Sequence, residues 1–299
     1  MKDLFRRTKK SFTPGQRDGE AQIPDNLWAK CPSCRELIYQ RQLIDNLKVC
    51  PKCSHHMRLN AREWLGLLDP GSFVEHDALL APADPLHFIS PRETYVDKVH
   101  ETQGRTGEAD AVISGVGAIG GQPLVVAMCN FAFMGGSMGS VYGEKMTRSA
   151  ERAADMGLPL LTLNCSGGAR MQEGVISLMQ MAKVSMALTR LAAMGQVHIS
   201  LLVDPCYGGV MASYASVADV IIAEQGANIG FAGRRVIEQT LRQKLPPDFQ
   251  TAEFMLQRGM VDLVAPRSEL RPTLARLLRL HRTAPLANRA LGQQQEAEI

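Results

Sequence analysis

Two glycines stand out as residues able to do chemistry: Gly208 and Gly209, in Asp204-Pro205-Cys206-Tyr207-Gly208-Gly209-Val210-Met211. A strand-like run over 197–203 precedes them, and a small-residue, helix-like run follows. A strand that turns into a helix leaves backbone N–H groups unpaired at the positive end of the helix dipole. Glycine lets another molecule approach those groups closely. That is the geometry needed to hold an oxyanion. A second turn of the same kind, Ser166-Gly167-Gly168, follows a buried-strand run over 158–163. Gly167 and Gly168 are read as supporting the first pair. Taken alone, a Gly-Gly pair is an ordinary strand-to-helix junction, because a helix start binds an anion only when one is offered.

Four cysteines carry a different chemistry. Cys31-x-x-Cys34 and Cys50-x-x-Cys53 are two knuckles separated by fifteen residues, the spacing of a zinc ribbon. Each knuckle aims two thiolates at one point, and two complete a tetrahedral shell with no open position. Such a site holds structure and does not activate water. A redox role fits less well, since redox C-x-x-C motifs occur singly on a thioredoxin-like fold. The alternation over 36–49, with Asp45-Asn46 at its centre, predicts a hairpin between the knuckles. His55 and His56 follow a filled shell and are read as surface or domain-contact residues.

An acid, base or nucleophile is hard to find. The stretch 107–264 holds one histidine, His198, inside an apolar run where a satisfied core histidine is expected. Ser166 is not in a G-x-S-x-G elbow, and without a second histidine a Ser-His-Asp triad is hard to build. Cys206 lacks an evident base. The chain thus offers oxyanion donors without a protein base. That suits a reaction in which the second substrate takes the proton.

Strand–loop–helix units position these residues. Two strands over 109–119 and 122–130 are joined by Gly120-Gly121, a hairpin signal. A Gly-rich loop, 131–140, leads to a helix over 141–156 that Gly157 and Pro159 stop. The unit repeats with the strand over 158–163, the helix over 172–194 and the strand over 197–203. Further strands are expected over 218–223, 227–232 and 259–264, and helices over 234–244, 252–258 and 270–281. A short helix begins at Trp64, and the segment to Val99 reads as short helices and loops. The alternation predicts an α/β fold with ligands at the ends of the strands. None of the Gly-rich loops fits a P-loop or a dinucleotide fingerprint.

Composition bounds the rest. The 299 residues are 45% hydrophobic and 21% charged, with net charge +3, which is ordinary globular composition. That charge alone does not argue for nucleic acid. No apolar run reaches the ~18 residues of a membrane span, and the first residues lack a signal-peptide core. The three single cysteines, Cys129, Cys165 and Cys206, suit a reducing cytoplasm. The expected organisation is a mobile basic tail over 1–26, a zinc ribbon over 27–60, one large domain over 61–282 and a frayed tail over 283–299. The methionines read as core and interface filler.

The motifs together resemble a known family. Beside the four cysteines and Gly208-Gly209-Val210 stand Phe133-Met134-Gly135-Gly136-Ser137-Met138-Gly139-Ser140-Val141 and Ser166-Gly167-Gly168-Ala169-Arg170-Met171-Gln172-Glu173-Gly174. Ile229-Gly230-Phe231-Ala232-Gly233 and Arg235-Val236-Ile237-Glu238-Gln239-Thr240 complete the set. In this order, over roughly 27–280, they are similar to the β subunit of bacterial acetyl-CoA carboxylase carboxyltransferase. The resemblance implies a zinc ribbon with one structural Zn2+ and a crotonase-like (ClpP/crotonase) domain of repeated ββα units. It implies carboxyl transfer from carboxybiotin on a biotin carboxyl carrier protein to acetyl-CoA, giving malonyl-CoA for fatty-acid synthesis. Biotin itself would take the proton after giving up CO2. The implied partners are the carboxyltransferase α subunit, in an α2β2 assembly, the carrier protein and biotin carboxylase.

Gly208 and Gly209 are then the expected enolate donors, and Arg148, Arg152, Arg170 and Arg235 are the arginines considered for CoA phosphates. Three positions depart from the family pattern: Tyr207 before the Gly pair, Arg234 where proline is usual, and Asn164-Cys165 before Ser166. They leave room for a paralogue with altered acyl-CoA preference. The ribbon and basic tail also permit nucleic-acid binding as a secondary activity. A crotonase-like hydrolase or isomerase acting alone would need the acid or base that is missing.

Overall fold

The computed structural model describes residues 27–281, so the two tails expected from the sequence lie outside the described residues. The ribbon comprises β1 (Trp28–Lys30), β2 (Leu37–Tyr39) and α1 (Gln40–Asp45). β2 pairs antiparallel with β1 across the first knuckle. The hairpin expected over 36–49 does not form, because residues 40–45 coil into α1 and 46–48 are a turn. Gln40, Arg41 and Gln42 are good helix formers. The helix turns one side chain, Leu43, into a small core with Cys31, Ile38 and Cys50.

The large domain begins with α2 (Ala61–Trp64), β3 (Val74–His76) and α3 (Tyr95–Thr106). Asn60 and Glu63 form a capping box on α2. β3 and α3 fall in the segment read as loops and short helices. The helix had legible ends, since Thr94 accepts from the Asp97 N–H and Gly107 closes it in the left-handed region. Next come β4 (Val112–Ile119), β5 (Gln122–Cys129), α4 (Ser140–Met156), β6 (Leu160–Ser166) and α5 (Gly174–Ala193). The chain continues through β7 (His198–Cys206), α6 (Gly208–Met211), β8 (Val220–Glu224), α7 (Arg234–Leu241), α8 (Ala252–Gln257), β9 (Leu263–Ala265) and α9 (Arg267–Leu280).

One seven-stranded sheet runs in sequence order from β3 to β9. β3, β4 and β5 are antiparallel neighbours, and β5 to β9 are parallel. The β4–β5 turn is Gly120-Gly121, both at positive φ, and the Asp69 carboxylate caps both N–H groups. α4 and α5, the crossovers between these parallel strands, pack against each other. Beyond the strand ends, parallel bridges Met138–Ala169 and Cys206–Ile229 build a second layer, giving the repeated ββα unit.

The strand expected over 227–232 is absent from the sheet. Asn228 and Ile229 are extended but cross the end of β7, with Cys206 N–H donating to Asn228 O at 2.9 Å. Ile229 N–H donates instead to Gln250 O at 2.8 Å. β6 is buried along its whole length, and β5 and β7 nearly so. The loops that leave these three strands therefore rise from a rigid base.

Candidate active site and zinc centre

Three glycine loops meet at the ends of β5, β6 and β7. Gly167 N–H donates to Gly135 O at 2.9 Å, and Met138 N–H to Gly168 O at 2.9 Å. Tyr207 N–H donates to Ser166 O at 2.8 Å, tying the third loop to the second. The approach is backbone to backbone. A Cβ on Gly208 would lie 2.6 Å from Gly168 Cα, and one on Gly136 only 2.3 Å from Cys165 O. Gly208 also sits at φ 61° and Gly168 at φ 120°, conformations that favour glycine.

The two expected donors and the two supporting glycines differ in their state. Gly167 N–H is engaged with Gly135, and Gly168 N–H donates to Ser166 Oγ at 2.9 Å. Gly208 N–H donates to Phe231 O at 2.8 Å. Gly209 N–H has no hydrogen-bond partner among the described residues. It lies in the first turn of α6, where such N–H groups are left over by helix geometry. Met181 Sδ and Met138 Cε border the same glycine, 2.9 and 3.3 Å from where a Cβ would stand. One amide is thus free beside apolar thioethers, and three glycines shape the backbone around it.

The other named residues are placed as follows. Arg170 is fully buried and donates to Asp110 at 2.7 Å, Ser137 O at 2.8 Å and Tyr95 Oη at 3.2 Å. Burial disfavours its charge, and the Asp110 carboxylate outweighs that and holds the proton more tightly. It has no face left for a CoA phosphate. Beside it, Glu173 accepts from Tyr95 Oη and from the Ser140 N–H, both at 2.6 Å. Arg148 and Arg152 share Asp77, at 2.8 and 3.0 Å. Arg235 is exposed and forms no ion pair or hydrogen bond among the described residues.

Cys206 is buried, and burial pushes its thiol pKa well up, so it is no nucleophile at neutral pH. His198 is buried too, with its pKa lowered to about 4 by desolvation, and its Nε2 lies 2.9 Å from Thr162 Oγ1. It is a neutral core histidine. Arg234, at the departure from the family's proline, donates to the Leu245 and Pro247 carbonyls at 3.0 and 3.1 Å. It thereby pins the chain beyond α7. Tyr207 is half-buried beside Gly208.

The four cysteine Sγ atoms lie within 4.8 Å of one another. The pairs Cys31–Cys53 and Cys34–Cys50 are 3.7 and 3.8 Å apart. A tetrahedral Zn–S4 site with bonds of about 2.3 Å has edges of about 3.8 Å, so the thiolates fit zinc in a closed, structural shell. The ribbon docks on the sheet domain through a joint that sequence reading did not find. Arg267 donates to Glu224 Oε1 and to Leu47 O, both at 2.5 Å, and its guanidinium stacks over Trp64. His56 Nδ1 lies 3.1 Å from the same Glu224 oxygen, making it a domain contact. Between knuckle and sheet is a cleft of about 220 Å3 whose lining includes Cys53, His55, Asp204 and Asn228.

These features define a class, and the comparisons agree with it. Residues 64–278 match the carboxyl transferase domain family, and residues 28–53 match the acetyl-CoA carboxylase zinc finger domain. The "acetyl-coenzyme A carboxylase carboxyl transferase subunit beta 2" of Roseiflexus sp. (strain RS-1) is 72% identical over 281 residues, covering 94% of this chain and 93% of that protein. Among solved structures, transcarboxylase 12S with methylmalonyl-coenzyme A and methylmalonic acid bound aligns with a TM-score of 0.62 at 31% identity. That alignment covers 74% of this chain and 41% of the transcarboxylase chain. A Pseudomonas malonate decarboxylase MdcD-MdcE hetero-dimer aligns with a TM-score of 0.57 at 25% identity, covering 81% of this chain and 95% of its match. The chain belongs to the acetyl-CoA carboxylase carboxyl transferase β-subunit family.

Proposed function

We propose that this chain supplies the acyl-CoA half of a carboxyltransferase that makes malonyl-CoA from acetyl-CoA. One observation carries the assignment of roles: among Gly167, Gly168, Gly208 and Gly209, the Gly209 N–H alone is free of a partner. When the acetyl group loses a proton, the thioester oxygen gains charge, and an aimed N–H stabilises it. Gly208, Gly167 and Gly168 hold the backbone around that donor. The carboxyl group would come as CO2 from carboxybiotin on a biotin carboxyl carrier protein, and the biotin anion left behind would take the acetyl proton. That is consistent with Cys206, at the site end of β7, being buried and held neutral.

Arg235 is the one considered arginine left free for a CoA phosphate. Val175, Leu178, Met179 and Met186 leave an exposed apolar stripe on α5, suited to an α subunit. Among the described residues no helix is long and apolar enough to cross a membrane. Biotin carboxylase and the carrier protein complete the assembly of this reading.

The test is the reconstituted reaction with the α subunit and a carboxybiotin donor, using acetyl-CoA and propionyl-CoA. Malonyl-CoA should form, and no product would sink the proposal. Within that assay, Gly209→Pro removes the N–H, while Gly209→Ala keeps it and adds a comparable contact with Met181 and Met138. The proline variant should lose about 10²–10³ in kcat, and the alanine variant far less. Equal rates for both would remove Gly209 from the role.

A further inference from the structure

Behind the three glycine loops runs a buried chain of polar side chains. Tyr214 Oη donates to Asn164 Oδ1 at 2.8 Å and lies 2.6 Å from Tyr142 Oη. Since the Tyr214 hydrogen goes to Asn164, Tyr142 is the donor of the second bond. Asn164 Nδ2 donates to Thr162 Oγ1 and to Ser200 Oγ, both at 2.9 Å. Tyr142, Asn164 and Tyr214 have no exposed surface. Buried polar groups are costly unless every member is satisfied, and a satisfied network locks one arrangement.

The placement of these three side chains gives the network a direction. Tyr142 is in the first turn of α4, three residues after Gly139. Asn164 is on β6, three residues before Gly167. Tyr214 follows α6, five residues after Gly209. Each sits beside a different glycine loop. α6 itself is a single turn with few internal bonds to fix its aim. Its front is tied by the Gly208–Phe231 and Tyr207–Ser166 bonds. Its rear is tied through Tyr214, and Ser213 Oγ returns to Gly209 O at 2.5 Å.

We infer that Tyr214, Tyr142 and Asn164 are positioning residues that set the aim of the Gly209 N–H by locking the three loops to one buried hydrogen-bond chain. The inference rests on the reading of Gly209 as the enolate donor. Misplacement of a catalytic group by about 1 Å costs on the order of 10²-fold in rate.

The experiment uses the reconstituted αβ complex with Tyr214→Phe, Tyr142→Phe and the double variant. Each single change should lower kcat at least about tenfold, with KM for acetyl-CoA within about twofold. The double variant should be no slower than the slower single, because the groups act as one unit. Tyr142→Phe removes only the terminal donor and leaves Asn164 bonded, so it carries the test if Tyr214→Phe fails to fold. Ser149→Ala removes a buried hydroxyl of α4 that bonds only Lys145 O, outside the chain, and should lower the melting temperature while leaving kcat within about twofold. Wild-type kcat in folded tyrosine variants overturns the inference, as does an equal kcat loss in Ser149→Ala. If Gly209→Pro is inactive while the tyrosine variants are fully active, positioning alone fails. A fully active Gly209→Pro refutes the donor assignment instead.

Discussion

The ribbon and the sheet domain keep their folds by different means. The ribbon's core is Cys31, Ile38, Leu43 and Cys50, so half of it is metal ligand. The sheet domain buries most of β4 to β8 in one continuous cluster, with α4, α5 and α9 packed into it. A module as small as the ribbon has too little apolar area to offset chain entropy, and metal binding supplies the difference. A large core has stability to spare. It tolerates buried polar groups such as Arg170, Asn164 and His198, and the first two lie beside the glycine loops. The metal-held part is thus structurally simple, and the apolar part carries the chemistry.

The largest break in this contrast should come from removing zinc. Chelation should abolish amide protection over 28–57, a loss on the order of 10 kcal/mol, while β5 to β7 stay protected in hydrogen exchange. Collapse of both regions together would show that the Arg267 joint makes them one unit. Next in size is Arg170→Met, which leaves Asp110 and Glu173 buried without their cation. It should cost about 3–5 kcal/mol in denaturant unfolding of the sheet domain, with zinc content unchanged.

Acid should act on His198. Its folded pKa of about 4 lies below the unfolded value of 6.5, so the unfolded chain binds the extra proton between those values. The histidine's contribution is intact above pH 6.5 and is lost as pH falls toward 4, by about 3 kcal/mol. His198→Gln should flatten that part of the stability profile, measured by denaturant titration at each pH. The smallest effect is expected at Arg190, whose ion pair with Asp155 is 2.7 Å long but more than half exposed on both sides. Arg190→Ala should shift stability by no more than about 0.5 kcal/mol. A larger loss would mean that surface charge, and not the buried networks, governs the sheet domain.

Much of the architecture was legible because its signals are local. Gly120-Gly121 announces the β4–β5 hairpin, and Gly157 with Pro159 announces the end of α4. The errors arose where a local pattern was outvoted by distant partners. Residues 36–49 alternate like a hairpin, yet β2 finds its mate in Trp28–Lys30 and the rest coils around Leu43. Residues 227–232 have the composition of a strand, but Gln250 and Cys206 capture their backbone bonds. Arg170 carried no mark in its neighbours to distinguish it from Arg235. Its burial depends on Asp110 and Tyr95, 60 and 75 residues away in the chain.

Residue type and spacing alone determined the zinc quartet and the glycine turns after strands, since each depends on a few neighbouring residues. Tertiary structure alone decided which glycine keeps a free N–H. The partners that occupy the others, Phe231 O, Gly135 O and Ser166 Oγ, are brought by loops from different repeats, apart from Ser166. A hydrogen bond is settled by where two groups meet in space, and for Gly209 nothing in the described fold meets it.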